Sequence, residues 1–177
     1  MARQAEPARH AQGLLSRLVF TALRKAIGLL SSAARSAAIA RIDFDDGQDG
    51  QGGMILEFGT GSGDSLGLYP AGARVIGVDW RAEPLALAAA RMRRLGIHKI
   101  GGLAVASPAA LPFEDGAFET ALASFALAEL DDPSLALDEL VRAVGPGGDI
   151  IIVDNFAHLR GGEGESGLAA LIARPDL

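Results

Sequence analysis

Ten residues from Met54 to Gly63 combine an apolar run, an acid and glycines at alternate positions, M-I-L-E-F-G-T-G-S-G, a pattern suited to ligand binding. The apolar residues suit a strand covered on both faces, and Gly59, Gly61 and Gly63 suit a loop whose backbone approaches a ligand closely because no Cβ intervenes. A dinucleotide fingerprint would need Gly or Ala three residues after its second glycine. Counting from Gly61 reaches Asp64, and counting from Gly63 reaches Leu66. The nicotinamide-type reading therefore fails on spacing. With no Lys-Ser or Lys-Thr pair following, the phosphate-binding P-loop fails too.

In a doubly wound fold an acid at the end of the next strand binds a ribose. Ala73 to Val78 is strand-like and ends in Asp79, whose carboxylate can accept both ribose hydroxyls. Trp80 follows and can lie against a purine. A competing role for Asp79 is to cap the helix that begins near Ala82, with Trp80 as core; the glycine loop at this spacing favours the ligand role.

The E-x-G-x-G-x-G run resembles motif I of the class I S-adenosylmethionine-dependent methyltransferases. Ala110 to Glu119, A-L-P-F-E-D-G-A-F-E, is similar to a segment of the ubiquinone-biosynthesis and lipid methyltransferase branch, and Leu140 to Gly148 is similar to that branch's R-V-L-K-P-G-G segment. Ser65 to Pro70 resembles the bacterial phosphatidylethanolamine N-methyltransferases. The likeness covers Met54 to about Asn155. It implies a doubly wound α/β domain with a mostly parallel, Rossmann-like sheet and helices on both faces. S-adenosylmethionine is the implied cofactor. Its implied binding set is Glu57, Gly59, Thr60, Gly61, Gly63, Asp79, Trp80, Ser107, Pro108 and Ser124. Ser107-Pro108 stands where the family usually has an acid for the adenine amino group. Ala128-Glu129 replaces a frequent His pair, and Glu119 a usual Asp.

Methyl transfer from a sulfonium is a direct displacement that needs alignment more than a protein nucleophile. An amine or phenol acceptor must still lose a proton, and Glu129, Asp154 and His158 are the candidate bases near the carboxyl ends of the strands. The acceptor implied by the resemblance is small or lipid-like, with an amine head group among the choices. The rival reading is a catalytically silent cofactor-binding or interaction protein, completed by a partner chain.

These residues need a scaffold, and 177 residues with 49% hydrophobic content supply one core. Three further strands are expected at Ile100–Ala106, Thr120–Phe125 and Asp149–Val153. Helices are expected from Pro84 to about Leu95, stopped by Gly96, and from Pro133 to Val144, opened by Asp131 or Asp132. Gly145-Pro146-Gly147-Gly148 is expected to reverse the chain before the fifth strand. After that strand only a Gly-rich loop and a short helix near Leu168–Ala173 are expected. The sheet would thus end short after its fifth strand, with an exposed edge open to a second copy or another protein.

Cys 0 removes disulfides and thiolate metal sites, and three scattered histidines argue against a metal cluster. Net charge is -6, yet residues 1–42 carry Arg3, Arg9, Arg17, Arg24, Lys25, Arg35 and Arg41 against Glu6 alone. The acidic remainder makes nucleic acid an unsuitable substrate. Within residues 12–36 apolar positions recur at helical spacing opposite arginines. This amphipathic helix fits a cover for the cofactor site, a peripheral contact with anionic membrane, or a transit segment. Residues 43–53 read as an acidic, Gly-rich linker to a cofactor-binding domain at 54–177. The expected location is cytoplasmic, with peripheral membrane contact as the variant.

Overall fold

The computed structural model describes residues 28–44, 53–98, 100–155 and 168–173. By backbone contacts the chain divides into a unit at 1–34 and a larger one from Arg35 to Leu177. Among the described residues, 28–39 are helical, termed α1, and 28–34 of these fall in the first unit. The apolar stripe expected before Gly28 and most of the linker lie outside the described residues.

The larger unit is built on a six-stranded sheet. β1 (Met54–Phe58), β2 (Arg74–Asp79), β3 (Ile100–Val105), β4 (Phe118–Ser124), β5 (Val144–Asn155) and β6 (Leu168–Ala173) lie in the order β3-β2-β1-β4-β5-β6. The first five pair in parallel, so every chain crossing returns to the same end of the sheet. Order reverses at β1, which lies between β2 and β4. The carboxyl end of β1 is therefore the switch point where open α/β sheets bind ligands.

Helix α2 (Ala82–Leu95) packs on β2 and β3, and α3 (Pro133–Ala143) packs on β5. Gly96 closes α2 in the left-handed conformation at φ 62°, and Arg93 and Arg94 stand in its last turn. Asp132 opens α3 by accepting the Ser134 amide at 3.0 Å, with Pro133 at the first helical position. Leu56, Phe58, Phe118, Ala121, Leu140 and Ile150 are among the residues that fill the core on one face of the sheet. Residues alternate faces along a strand, so Ile55 and Glu57 of β1 share the opposite one.

Two expectations at the end of the chain change. Leu168–Ala173 is a strand, and it pairs antiparallel with β5 from Asn155↔Leu168 to Ile150↔Ala173. A six-residue apolar segment has too few turns to declare a helical period, and the free amides and carbonyls of β5 supply partners that a helix would not. The edge of β5 is thus paired, and the association expected through it loses its basis. In addition, the Gly145–Gly148 segment lies inside β5. Val144 faces Phe118 and Asp149 faces Thr120, so the glycines form an irregularity in the ladder and not a reversal before the strand.

One side chain clasps the loop before β4. Arg142 of α3 donates from Nη1 to the Phe113 carbonyl and to Asp115, both at 2.8 Å, and from Nη2 to the Leu111 carbonyl at 3.1 Å. Its Nε and Nη2 form a two-point pair with Glu139, at 2.8 Å each, while Glu139 also accepts the Leu111 amide at 2.6 Å. The arginine of the R-x-x-G-P-G-G run therefore fixes the L-P-F-E-D segment to α3. The Arg142 hydrogen bonds hold Glu139 down at about 2. A depressed carboxylate contributes stability that is complete above its unfolded value near 4.5 and disappears as pH falls to about 2. Replacing Arg142 with Met should destabilise the domain at pH 7 and remove the part of its acid sensitivity that Glu139 contributes over that window. Urea melts at pH 7 and pH 3 measure both; an unchanged acid limb would place the sensitivity elsewhere.

Candidate functional site

At the carboxyl end of β1 the backbone turns out of the sheet through hydrogen bonds to its neighbour. The Gly59 and Thr60 amides donate to the Val78 carbonyl at 2.8 and 3.0 Å, and Thr60 Oγ1 donates to the Glu57 carbonyl at 3.1 Å. Gly61 then adopts φ 55° and sends its amide to Asp79 Oδ2 at 2.9 Å, tying the loop to the end of β2. A Cβ at Gly61 would meet nothing nearer than the Gly59 carbonyl at 3.9 Å, so it would project into the open cleft. Gly63 has a different reason. Its Cβ would stand 2.8 Å from Leu66 and 3.0 Å from Ala88 of α2, and glycine there lets the loop seat against the helix.

The cleft encloses about 160 Å³. Gly59 to Ser62, Asp64 and Ser65 form one wall; Ser124, Phe125, Ala126 and Glu129 form another; Arg35 and Arg81 contribute guanidinium groups. A wider cleft of about 410 Å³ beside His98 lies at the opposite ends of the strands, near Met54 and Arg74, where no comparable set of polar groups converges.

Asp79 is buried, and both its oxygens have partners. Oδ1 accepts the Arg81 amide at 2.9 Å and Arg81 Nε at 3.1 Å; Oδ2 accepts the Gly61 amide and, at 3.4 Å, Arg81 Nη2. Arg81 Nη1 reaches Glu129 at 2.7 Å, and its guanidinium lies 4.7 Å from the Trp80 ring centre. Trp80 in turn rests on Phe58, ring centres 5.8 Å apart. Asp79 therefore fixes the chain entering α2 by accepting a backbone amide, although no side chain caps the helix itself.

Phe125 leaves β4 at φ 55°, a strained conformation for a bulky side chain. Its amide donates to the Val153 carbonyl at 2.7 Å, which holds the strain in place. Arg35, from the part of α1 in the larger unit, lies 4.9 Å over its ring, while Ala38, Ile39 and Ile42 beyond it are buried.

Glu57, expected at the cofactor, is behind the loop. It sits in the middle of β1, flanked by Gly77 and Leu122, and is buried. Oε1 accepts Ser65 Oγ, whereas Oε2 and the Tyr69 hydroxyl face each other's region without a well-formed hydrogen bond to any group. Burial pushes its carboxyl up to about 7, opposed by the Ser65 bond and the nearby Tyr69 and Arg35. Its side chain shares the face of Ile55, so the alternation that buries the strand also carries Glu57 away from the cleft.

Gly59, Thr60, Gly61 and Ser124 are thus brought to the cleft, with Asp79 directly behind Gly61. Ser107 and Pro108 stand beyond Val105, which pairs with Asp79, and Ser107 Oγ accepts the Ala109 amide at 3.3 Å; neither residue lines the cleft. Among the base candidates, Glu129 is on the wall. Asp154 is buried and accepts the Ala128 amide at 3.0 Å, so it supports the short 3-10 turn at Leu127–Glu129. His158 lies outside the described residues. Arg35, Arg81 and Phe125 were not expected. Arg81 had a signal in its position, two residues after Asp79, but the backbone of Phe125 had none.

The family model described as "Methyltransferase domain" matches residues 56–152, more than half of the chain and the whole run from β1 into β5. The chain belongs to the class I S-adenosylmethionine-dependent methyltransferases. Over 111 residues it is 33% identical to a phosphatidylethanolamine N-methyltransferase of Cereibacter sphaeroides, covering 63% of this chain and 55% of that protein. A demethylmenaquinone methyltransferase of Thermobifida fusca is 35% identical over 127 residues, 71% of this chain and 50% of its own. Among solved structures, a SAM-dependent methyltransferase of Methanosarcina mazei has TM-score 0.51 and 32% identity, covering 57% of this chain and 51% of that one. The [4+2]-cyclase SpnF has TM-score 0.58 and 27% identity, covering 67% and 43%. The chain spans about half the length of the curated relatives it matches.

Proposed function

We propose that this methyltransferase-family chain binds S-adenosylmethionine at the switch point at the carboxyl end of β1 and transfers its methyl group to a small or lipid-like acceptor. The observation that carries the reading is the Gly61–Asp79 junction, a glycine whose missing side chain keeps the cleft open, locked to a buried carboxylate at the next strand end. These residues fit a nucleoside-bearing cofactor, since Asp79 can accept a ribose diol and the backbone of Gly61 can approach closely without a Cβ in the way. The bound cofactor supplies an electrophilic methyl group. Ser124 offers a hydroxyl on the wall, Phe125 an apolar surface that excludes water, and the protein's main task is to align donor and acceptor. Glu129 is the cleft carboxylate placed to take a proton from an acceptor, once its pairing with Arg81 is exchanged.

A lipid-like acceptor is supported by the printed activities of the phosphatidylethanolamine and demethylmenaquinone relatives. The amphipathic pattern of residues 12–36 supports peripheral contact with anionic membrane, and cosedimentation with liposomes tests that part. Among the described residues no helix is long and apolar enough to cross a membrane. The fold also serves a cyclase, so fold alone does not establish methyl transfer.

Calorimetric titration with S-adenosylmethionine and S-adenosylhomocysteine tests the site, and transfer of labelled methyl to phospholipid or quinone extracts tests the reaction. Replacing Asp79 with Asn should weaken cofactor binding by roughly 1 to 3 kcal/mol, because a neutral amide loses the charge-assisted bonds to hydroxyl donors. An affinity within twofold of the parent would reduce Asp79 to a support for the start of α2.

A further inference from the structure

We propose that Arg81 is a resident competitor for the ribose position, so that ligand binding exchanges a guanidinium for a vicinal diol on Asp79. The inference rests on the nucleoside reading of the cleft and adds to it the residue that sets its affinity. Asp79 is fully buried as a side chain and engages Arg81 through Nε at 3.1 Å and Nη2 at 3.4 Å, beside the backbone amides of Gly61 and Arg81. A carboxylate has about four acceptor positions. All four are thereby used, and a diol has to displace the two side-chain bonds because the two backbone amides are fixed by the chain.

The displaced group has somewhere to go. Arg81 is 43% exposed on its side chain, and its Nη1 is already paired with Glu129, itself 49% exposed, at 2.7 Å. Ion pairs at that exposure are weak and screened by salt, so the arrangement competes with a ligand without excluding it. The guanidinium also lies over the outer face of Trp80, the surface a purine would stack on. One side chain thus covers both the hydroxyl-binding and the base-stacking surfaces. The size of the cleft agrees, since about 160 Å³ is below the roughly 300 Å³ at which small-molecule sites begin.

Trp80 is the chain's one tryptophan, so its emission reports directly on what lies against it. Titrations of the full chain with S-adenosylhomocysteine, adenosine and 2′,3′-dideoxyadenosine, followed by calorimetry and Trp80 fluorescence, distinguish the cases. Arg81→Met keeps the apolar stem and removes the charge. It should bind S-adenosylhomocysteine and adenosine about fivefold to tenfold tighter than the parent. Dideoxyadenosine, which cannot use Asp79 and gains only the uncovered Trp80 face, should tighten by less than adenosine does. Glu129→Gln removes the carboxylate that receives the displaced guanidinium and should weaken adenosine binding, whereas higher salt should strengthen it, because adenosine is neutral and only the competing pair is screened. In the parent, adenosine should change Trp80 emission toward that of ligand-bound Arg81→Met. Equal or weaker binding of S-adenosylhomocysteine by Arg81→Met would overturn the competitor, while binding by the parent would leave the nucleoside site standing. If neither protein bound any of the three ligands, the nucleoside reading itself would fall and the competitor with it.

Discussion

Replacing Gly61 with Val abolishes S-adenosylhomocysteine binding, a loss of at least about a hundredfold, while the sheet remains folded. Two effects combine. The residue sits at φ 55°, where a β-branched side chain costs roughly 1 to 2 kcal/mol, and the Cβ and its branches project into the cleft that the ligand would occupy. Gly61→Ala separates them, since it carries most of the backbone strain and little of the bulk; it should lose about tenfold. Calorimetry gives the affinities and thermal melting gives the stability. Because a Cβ at this position meets no protein atom within 3.9 Å, the melting temperature should fall by only a few degrees, by the strain alone. Binding by Gly61→Val within twofold of the parent would refute the site.

Glu57 produces the second large effect, and on stability. Its carboxyl is raised by burial from 4.5 to about 7, so the folded protein holds the proton more tightly than the unfolded chain does. Below pH 4.5 the group is neutral in both states and imposes no penalty. As pH rises from 4.5 to 7 the unfolded chain ionises first, and folding is progressively disfavoured; above 7 the full difference, roughly 3 kcal/mol, is lost. Glu57→Gln keeps an oxygen for the Ser65 hydroxyl and cannot ionise. The variant should therefore be more stable than the parent at pH 8 by up to about 3 kcal/mol and equal to it near pH 4. Urea denaturation across that range decides the matter, and parallel pH profiles for the two proteins would show that Glu57 stays ionised in the folded state. The trend is opposite in sign to that of Glu139, whose contribution is lost on acidification. The summed contribution of these two carboxyls is greatest near pH 4.5.

The elements that form the cleft were legible in the sequence because each depends on local chemistry. A buried parallel strand ending in glycines has few other readings, and Asp79 falls at the end of the next strand by count. The caps at Asp132 and Gly96 were equally local. Glu57 stands off the wall of the cleft for a reason that strand geometry explains. Sequence adjacency put it beside the glycines, but the two-residue period of β1 turned it onto the face of Ile55. Ser107 and Pro108 were assigned by likeness to a family position, and the chain's own path beyond β3 leaves them off the wall of the cleft.

By itself the sequence determined the places of the five parallel strands and of the two helices at Ala82–Leu95 and Pro133–Ala143, the glycine turn and the acid at the end of β2, since these follow from backbone sterics and apolar periodicity within a few residues. Only the tertiary structure decided what depends on distant partners. The pairing of Leu168–Ala173 with β5 required a strand edge to be available. The strained backbone of Phe125 required the Val153 carbonyl, and the span of Arg81 from Asp79 to Glu129 required two strand ends that are far apart in the chain to meet. A side chain's propensities are local, but its hydrogen-bond partners are set by the fold.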